Sequence, residues 1–146
     1  MTYLLDTNVV SELRKVRSGK ADAQVARWAE GLQVADLFIS VITVQELEIG
    51  VRQVERRDDK QGQILRDWLD HHVLPAFAGR ILAVDLAVAQ CSAQWHVPDP
   101  RPFRDGLIAA TAKVHHMTVV TRNTADFSGI GVNLLNPWLP VAELEH

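Results

Sequence analysis

The chain has 146 residues, 47 % hydrophobic and 23 % charged, which suits one domain with a sizeable core and excludes wholesale disorder. A formal net charge of −3 excludes a domain that grips nucleic acid by bulk positive charge, although metal ions can offset clustered carboxylates locally. The one cysteine, Cys91, excludes an internal disulfide and suits a reducing compartment.

Tyr3-Leu4-Leu5 reads as a buried strand that stops at Asp6, and Thr7-Asn8 leads into a short helix reaching about Arg14. After a polar turn with Ser18-Gly19, Val25, Trp28, Ala29 and Leu32 recur at helical spacing between Ala21 and Leu32. Leu37-Phe38-Ile39 is a short strand closed by Ser40. Thr43 is expected to cap the next helix, with Val44, Leu47, Val51 and Val54 on one face. The charge run Glu55 to Lys60 reads as a solvated connection before an amphipathic helix marked by Ile64, Leu65, Trp68 and Leu69 and ended by Pro75.

Arg80 to Val84 is a strand candidate, and Asp85 caps a small-residue helix reaching about Trp95. Pro98, Pro100 and Pro102 make Val97 to Arg104 an exposed, stiff loop. A helix from Asp105 to His116 follows, then the strands Met117–Val120 and Asn133–Leu135. Short apolar strands alternating with helices predict a mainly parallel sheet with helices on both faces, in one domain spanning 1–143. Leu144-Glu145-His146 reads as the start of an expression tag. No basic segment precedes an apolar one at the start, and no apolar run nears the ~20 residues of a membrane span, so a cytoplasmic protein is expected, with no membrane partner.

Four acids stand at element ends or on helix faces that can converge: Asp6, Glu46, Asp105 and Asp126. Each has a plainer use. Asp6 and Asp105 can cap helices, Glu46 can face solvent, and Asp126 can stabilise a polar turn. Asp6 and Thr121 both follow apolar strands directly, however, and so share the sheet edge where open α/β folds place their ligands. Carboxylates gathered there repel one another unless a cation balances them or one takes up a proton. An all-oxygen set suits Mg²⁺, with Mn²⁺ as a substitute, and not zinc. Such equipment serves metal-assisted phosphodiester hydrolysis.

The residues also resemble a known family. Leu4 to Glu12, Ser40 to Leu47 with Gly50, Leu74 to Leu82, Asp105 to Ala112, Thr121-Arg122-Asn123 with Asp126-Phe127, and Asn136-Pro137-Trp138 match, in order, the PIN-domain ribonucleases. The match is best to the toxins of VapBC-type toxin–antitoxin pairs, the FitB-like members above all. The resemblance implies a PIN-like fold and a Mg²⁺-dependent endoribonuclease. It implies metal ligation by Asp6, Glu46 and Asp105, with Asp126 as a fourth, more variable acid. Asn8 would orient Asp6 or a metal-bound water, and Thr7 and Thr121 would add hydroxyl contacts. Helical periodicity does not choose Glu46 over Glu48; the resemblance does. It further implies a homodimer, an RNA substrate, and a cognate antitoxin through which alone the chain meets DNA.

Arg104 and Arg122 adjoin proposed ligands and are candidates for gripping substrate phosphates. Trp68, Trp95 and Trp138 can stack bases, although burial is the commoner use of such side chains. The pairs His71-His72 and His115-His116 point about 100° apart on a helix and do not share an ion. A dehalogenase-like phosphohydrolase would need an acid where Asn8 stands. A dinucleotide fold would need a Gly-rich turn after the first strand, which is lacking. A DNA-directed or non-catalytic PIN-like module acting through partner binding is the remaining alternative.

Overall fold

Tyr3–Leu5 forms β1, the central strand of a five-stranded sheet in a computed structural model that describes residues 1–140. The tag expected at 144–146 and the end of the expected domain lie outside the described residues. On one side of β1 lie β2 (Leu37–Ser40) and β3 (Ile81–Leu82); on the other lie β4 (Thr118–Val120) and β5 (Leu134–Leu135). The order is β3-β2-β1-β4-β5, and every pairing is parallel.

Leu4 pairs with Val119 and Leu5 with Val120. Alternate residues point to opposite faces, so Leu4 and Val119 pack with Ile108, Ala112 and Phe127, while Leu5 and Val120 join Val9, Ile39, Leu47 and Val51. Both faces are buried, which is why β1 and β4 are apolar but for Thr118. The helices are α1 (Thr7–Leu13), α2 (Ala23–Glu30), α3 (Val41–Arg57), α4 (Asp59–Trp68), α5 (Leu74–Ala76), α6 (Leu86–Ala93) and α7 (Phe103–Val114). A π turn, Leu69–Val73, joins α4 to α5, so the helical run passes Pro75 and ends at Ala76. Trp28 is buried, its ring edge-on to Tyr3 at 5.9 Å.

Some expectations need correction. Ser40, not Thr43, caps α3: β2 runs straight into the helix, and the Ser40 hydroxyl accepts the Ile42 N–H at 3.0 Å. Thr43 is fully buried inside the helix, and its hydroxyl has no partner among the described residues. The strand expected at Arg80–Val84 pairs only at Ile81 and Leu82, because Leu82 meets Ser40, the last residue of β2. The Arg80 guanidinium is instead bonded to backbone carbonyls, Val34 at 2.6 Å and also Leu37 and Ala76.

The charge run 55–60 is not simply solvated. Asp58 alone breaks the helices and caps α4 through the Gln61 N–H, at 3.2 Å. Glu55 turns onto Arg66, which also holds Glu48 at 3.0 Å. Here α3 and α4 approach closely: a Cβ on Gly62 would lie 2.5 Å from the Glu55 Cα. Only glycine fits.

Candidate active site

From β1 the chain builds outward to β2 and β3, then returns to the other side of β1 for β4 and β5. The carboxyl ends of β1 and β4 therefore flank a topological switch point, where open parallel sheets leave a crevice. Asp6 follows β1 and Thr121 follows β4. Because Leu5 and Val120 are register partners, the two residues stand side by side. The Thr121 hydroxyl donates to Asp6 Oδ2 at 2.8 Å, and the Thr7 N–H donates to Asp6 Oδ1 at 2.8 Å. Asp6 is 8 % exposed. It is the N-cap of α1.

Asn8 bridges the two strand exits. Its side-chain amide lies 3.5 Å from Asp6 Oδ2 and 3.4 Å from the Thr121 hydroxyl, and its Oδ1 accepts the Arg122 N–H at 3.2 Å. Two residues outside the expected site complete this bracing. The Asn123 N–H donates to the Thr121 hydroxyl at 3.0 Å, and Asn136 donates to the Arg122 carbonyl at 3.4 Å. The Asn136-Pro137-Trp138 motif thus supports the loop after β4. Trp138 carries the Arg122 guanidinium over its ring at 5.3 Å, and Arg122 itself is exposed.

Glu46 arrives from α3. Thr43, Leu47 and Val51 form that helix's buried stripe, and Glu46 lies at its margin, facing α1. The Thr7 hydroxyl donates to Glu46 Oε1 at 2.9 Å, and Arg104 Nη1 donates to Oε2 at 2.7 Å. Glu48, the alternative on the same helix, belongs to the Arg66 cluster instead. Arg104, a candidate for phosphate, is therefore engaged with an acid of the site.

Asp105 sits in the first turn of α7 and does not cap it, since the N-cap position is Pro102. Its carboxyl is pushed above the ordinary value of 3.8, first by burial and then by the charges of Asp126, Asp6 and Glu46, with Arg104 opposing. The other three acids all act on this one group. Asp126, itself exposed, comes from the 3-10 turn Thr124–Phe127. As the side chains stand, no three Asp, Glu, His or Cys groups among the described residues share one coordination sphere. The donor set nevertheless fits a hard divalent cation in chemistry. It is all oxygen, Arg104 pairs with one of its acids, and the repulsion among the acids raises the proton affinity of Asp105.

The remaining candidates lie elsewhere. His71 and His72 are exposed near Asp67, and His115 and His116 are exposed at the end of α7. Trp68 lies under Arg14, with 5.6 Å from guanidinium to ring centre, on the α1–α4 side of the molecule. The Pro-rich loop before α7 brings His96 and Trp95 beside Asp105, around a recess that no sequence motif announced. No helix among the described residues is long and apolar enough to cross a membrane.

Residues 3–132 match the model of the PIN domain family. Toxin FitB of Neisseria gonorrhoeae is 39 % identical over 140 residues, covering 92 % of this chain and 97 % of that protein. VapC ribonuclease Y4jK of Sinorhizobium fredii is 37 % identical over 142 residues, covering 94 % and 98 %. Among solved structures, FitAB bound to the IR36 DNA fragment superposes with a TM-score of 0.83 at 38 % identity, covering 94 % of this chain and 96 % of the matched one.

Proposed function

The chain belongs to the PIN-domain family, and from that membership we propose that it is a divalent-metal-dependent endoribonuclease, the toxin of a type II toxin–antitoxin pair. The observation that carries the reading is that Thr7 and Thr121 tie Asp6 and Glu46 together at the switch point of a parallel sheet, with Asp105 near enough to feel both charges and that of Asp126. Similarity to a VapC ribonuclease and to a toxin supports the activity and the role.

Asp6, Glu46 and Asp105 would hold the cation, with Asp126 as the fourth acid. Magnesium is the natural ion, and manganese substitutes. When bound, it supplies Lewis-acid stabilisation of phosphoryl oxygens and a more acidic attacking water. The protein's own part is orientation. Thr121 and the Thr7 N–H fix both oxygens of Asp6, and Asn8 locks the two strand exits together. Thr7 holds one oxygen of Glu46, leaving the other to Arg104 or to a stronger cation. Arg122, exposed at the rim, is placed to take a substrate phosphate.

The partners in this reading are an RNA substrate and a cognate antitoxin. DNA is met only through the antitoxin, as the FitAB–DNA assembly supports. A homodimer in the cytoplasm completes it. The test is Mn²⁺ binding by the purified chain beside Asp6→Ala. The reading expects the variant to stay folded and lose the ion; a folded variant with unchanged affinity would sink the site.

A further inference from the structure

Beside Asp105 and Asp126 the surface opens into a recess of about 180 Å³. Trp95 and His96 supply flat walls, Arg101 stands at its exposed rim, and Gly106 on α7 lies opposite. Nothing in the catalytic reading uses these four residues. His96 Nδ1 accepts the Arg101 backbone N–H at 3.2 Å, which leaves the proton of the neutral ring on Nε2. That Nε2 is turned towards Gly106: a Cβ built there would stand 3.8 Å from it. Neighbours hold both rings in place. Phe103 packs on the imidazole with centroids 4.8 Å apart and 33° between planes, and Lys113 Nζ lies 5.7 Å from the Trp95 ring centre.

Size, shape and charge narrow the occupant. The space is below the ~300 Å³ at which pockets for drug-sized ligands begin, so it admits little more than one ring system. The aromatic walls of Trp95 and His96 favour a flat heterocycle that can stack on them. Arg101 and His96 Nε2 offer donors, whereas any oxygen of Asp105 or Asp126 that the cation leaves free offers an acceptor. Guanine carries the matching edges, with N7 and O6 as acceptors and its amino group as donor. In single-stranded RNA those edges are open to protein.

We infer that the recess is a nucleobase subsite that takes a guanine of single-stranded RNA beside the bond to be cut. The inference rests on the nuclease reading and adds a base preference to it. Phe103, 72 % exposed at the rim, gives the next base an apolar surface.

The test is equilibrium binding of five-nucleotide RNAs to the full chain with Ca²⁺ in place of Mg²⁺, a hard cation that offsets the carboxylates. One position carries G, A, C, U or an abasic site in a constant uridine background. At one position, G is expected to bind about tenfold tighter than the abasic site. Gly106→Ala puts a methyl into the recess at ordinary contact distance and favours the helix. It is expected to keep or raise Tm while bringing the G preference close to one. Arg101→Ala, at an exposed side chain, is expected to narrow the gap between G and A. RNA binding that ignores the base at every position overturns the subsite alone, as does a G preference that survives Gly106→Ala. No binding of any oligonucleotide overturns the subsite and counts against the nuclease reading as well.

Discussion

Arg104 closes on Glu46: its guanidinium donates to Oε2 at 2.7 Å, with the arginine side chain 64 % exposed and the glutamate 19 %. The acid that the family pattern assigns to metal is thus already paired with a cation of the chain's own. Arg104 and a divalent ion compete for one oxygen. An exposed guanidinium contributes only about 0–1 kcal/mol to such a pair. Arg104→Ala is therefore expected to tighten Mn²⁺ binding, by at most about fivefold, in a calorimetric titration. The gain should vanish in a Glu46→Gln background. Weaker binding in Arg104→Ala would contradict the competition.

Asp105 gives the metal-free fold a pH dependence of defined sign. Burial and three neighbouring carboxylates raise its folded pKa above 3.8, whereas the unfolded chain keeps the ordinary value. Between those two values the folded state binds more protons than the unfolded one, so its contribution is fully present below 3.8. It is lost as pH rises through the folded value. At neutral pH, Asp105→Asn should raise the apo Tm, by about 2–4 °C per kcal/mol of repulsion relieved. The gain should shrink towards pH 4 and reverse in sign with saturating Mn²⁺. A lower apo Tm at pH 7 would mean that Asp105 stabilises the turn it sits in.

Glu46 and Glu48 separate function from stability on one helix. Glu48 is held by Arg66, and that hydrogen bond keeps its carboxyl below the ordinary 4.5. Glu48→Gln is expected to cost about 1 kcal/mol or less, since the cluster is partly exposed and screened, and to leave Mn²⁺ affinity unchanged. Glu46→Gln should do the reverse. Urea melts and metal titrations of the two variants decide it, and matching behaviour would undo the assignment of Glu46.

Parallel strands, helices on both faces and the Asp6–Thr121 edge were legible in the sequence because they follow from apolar runs ending at polar residues. The site's partners were less so. Periodicity could not separate Glu46 from Glu48, because both flank the stripe of Thr43, Leu47 and Val51; only the family pattern did. The Ser40 cap was hidden because a residue that ends a strand also begins a helix. Gly62, the Arg66 cluster and the Trp95–His96 recess depend on how distant segments meet, which no local pattern encodes.

Two core substitutions test the packing. Thr43→Val removes a fully buried hydroxyl that has no partner among the described residues and keeps the side-chain shape, so it is expected to stabilise the fold by about 1 kcal/mol. Gly62→Ala forces α3 and α4 apart and is expected to cost about 1–3 kcal/mol. Denaturant midpoints report both, and a neutral Gly62→Ala would show that the helices slide freely.

Cleavage of a mixed pool of transfer, ribosomal and messenger RNA by the purified, antitoxin-free chain decides whether it is a metal-dependent ribonuclease. It is run with Mg²⁺, with Mn²⁺ and with EDTA, beside Asp105→Asn as the control for contaminating nuclease. Discrete fragments that need the metal and disappear in the variant are expected. Fragments that persist in EDTA or in Asp105→Asn, or a well-folded chain that cuts no RNA in the pool, would contradict that expectation.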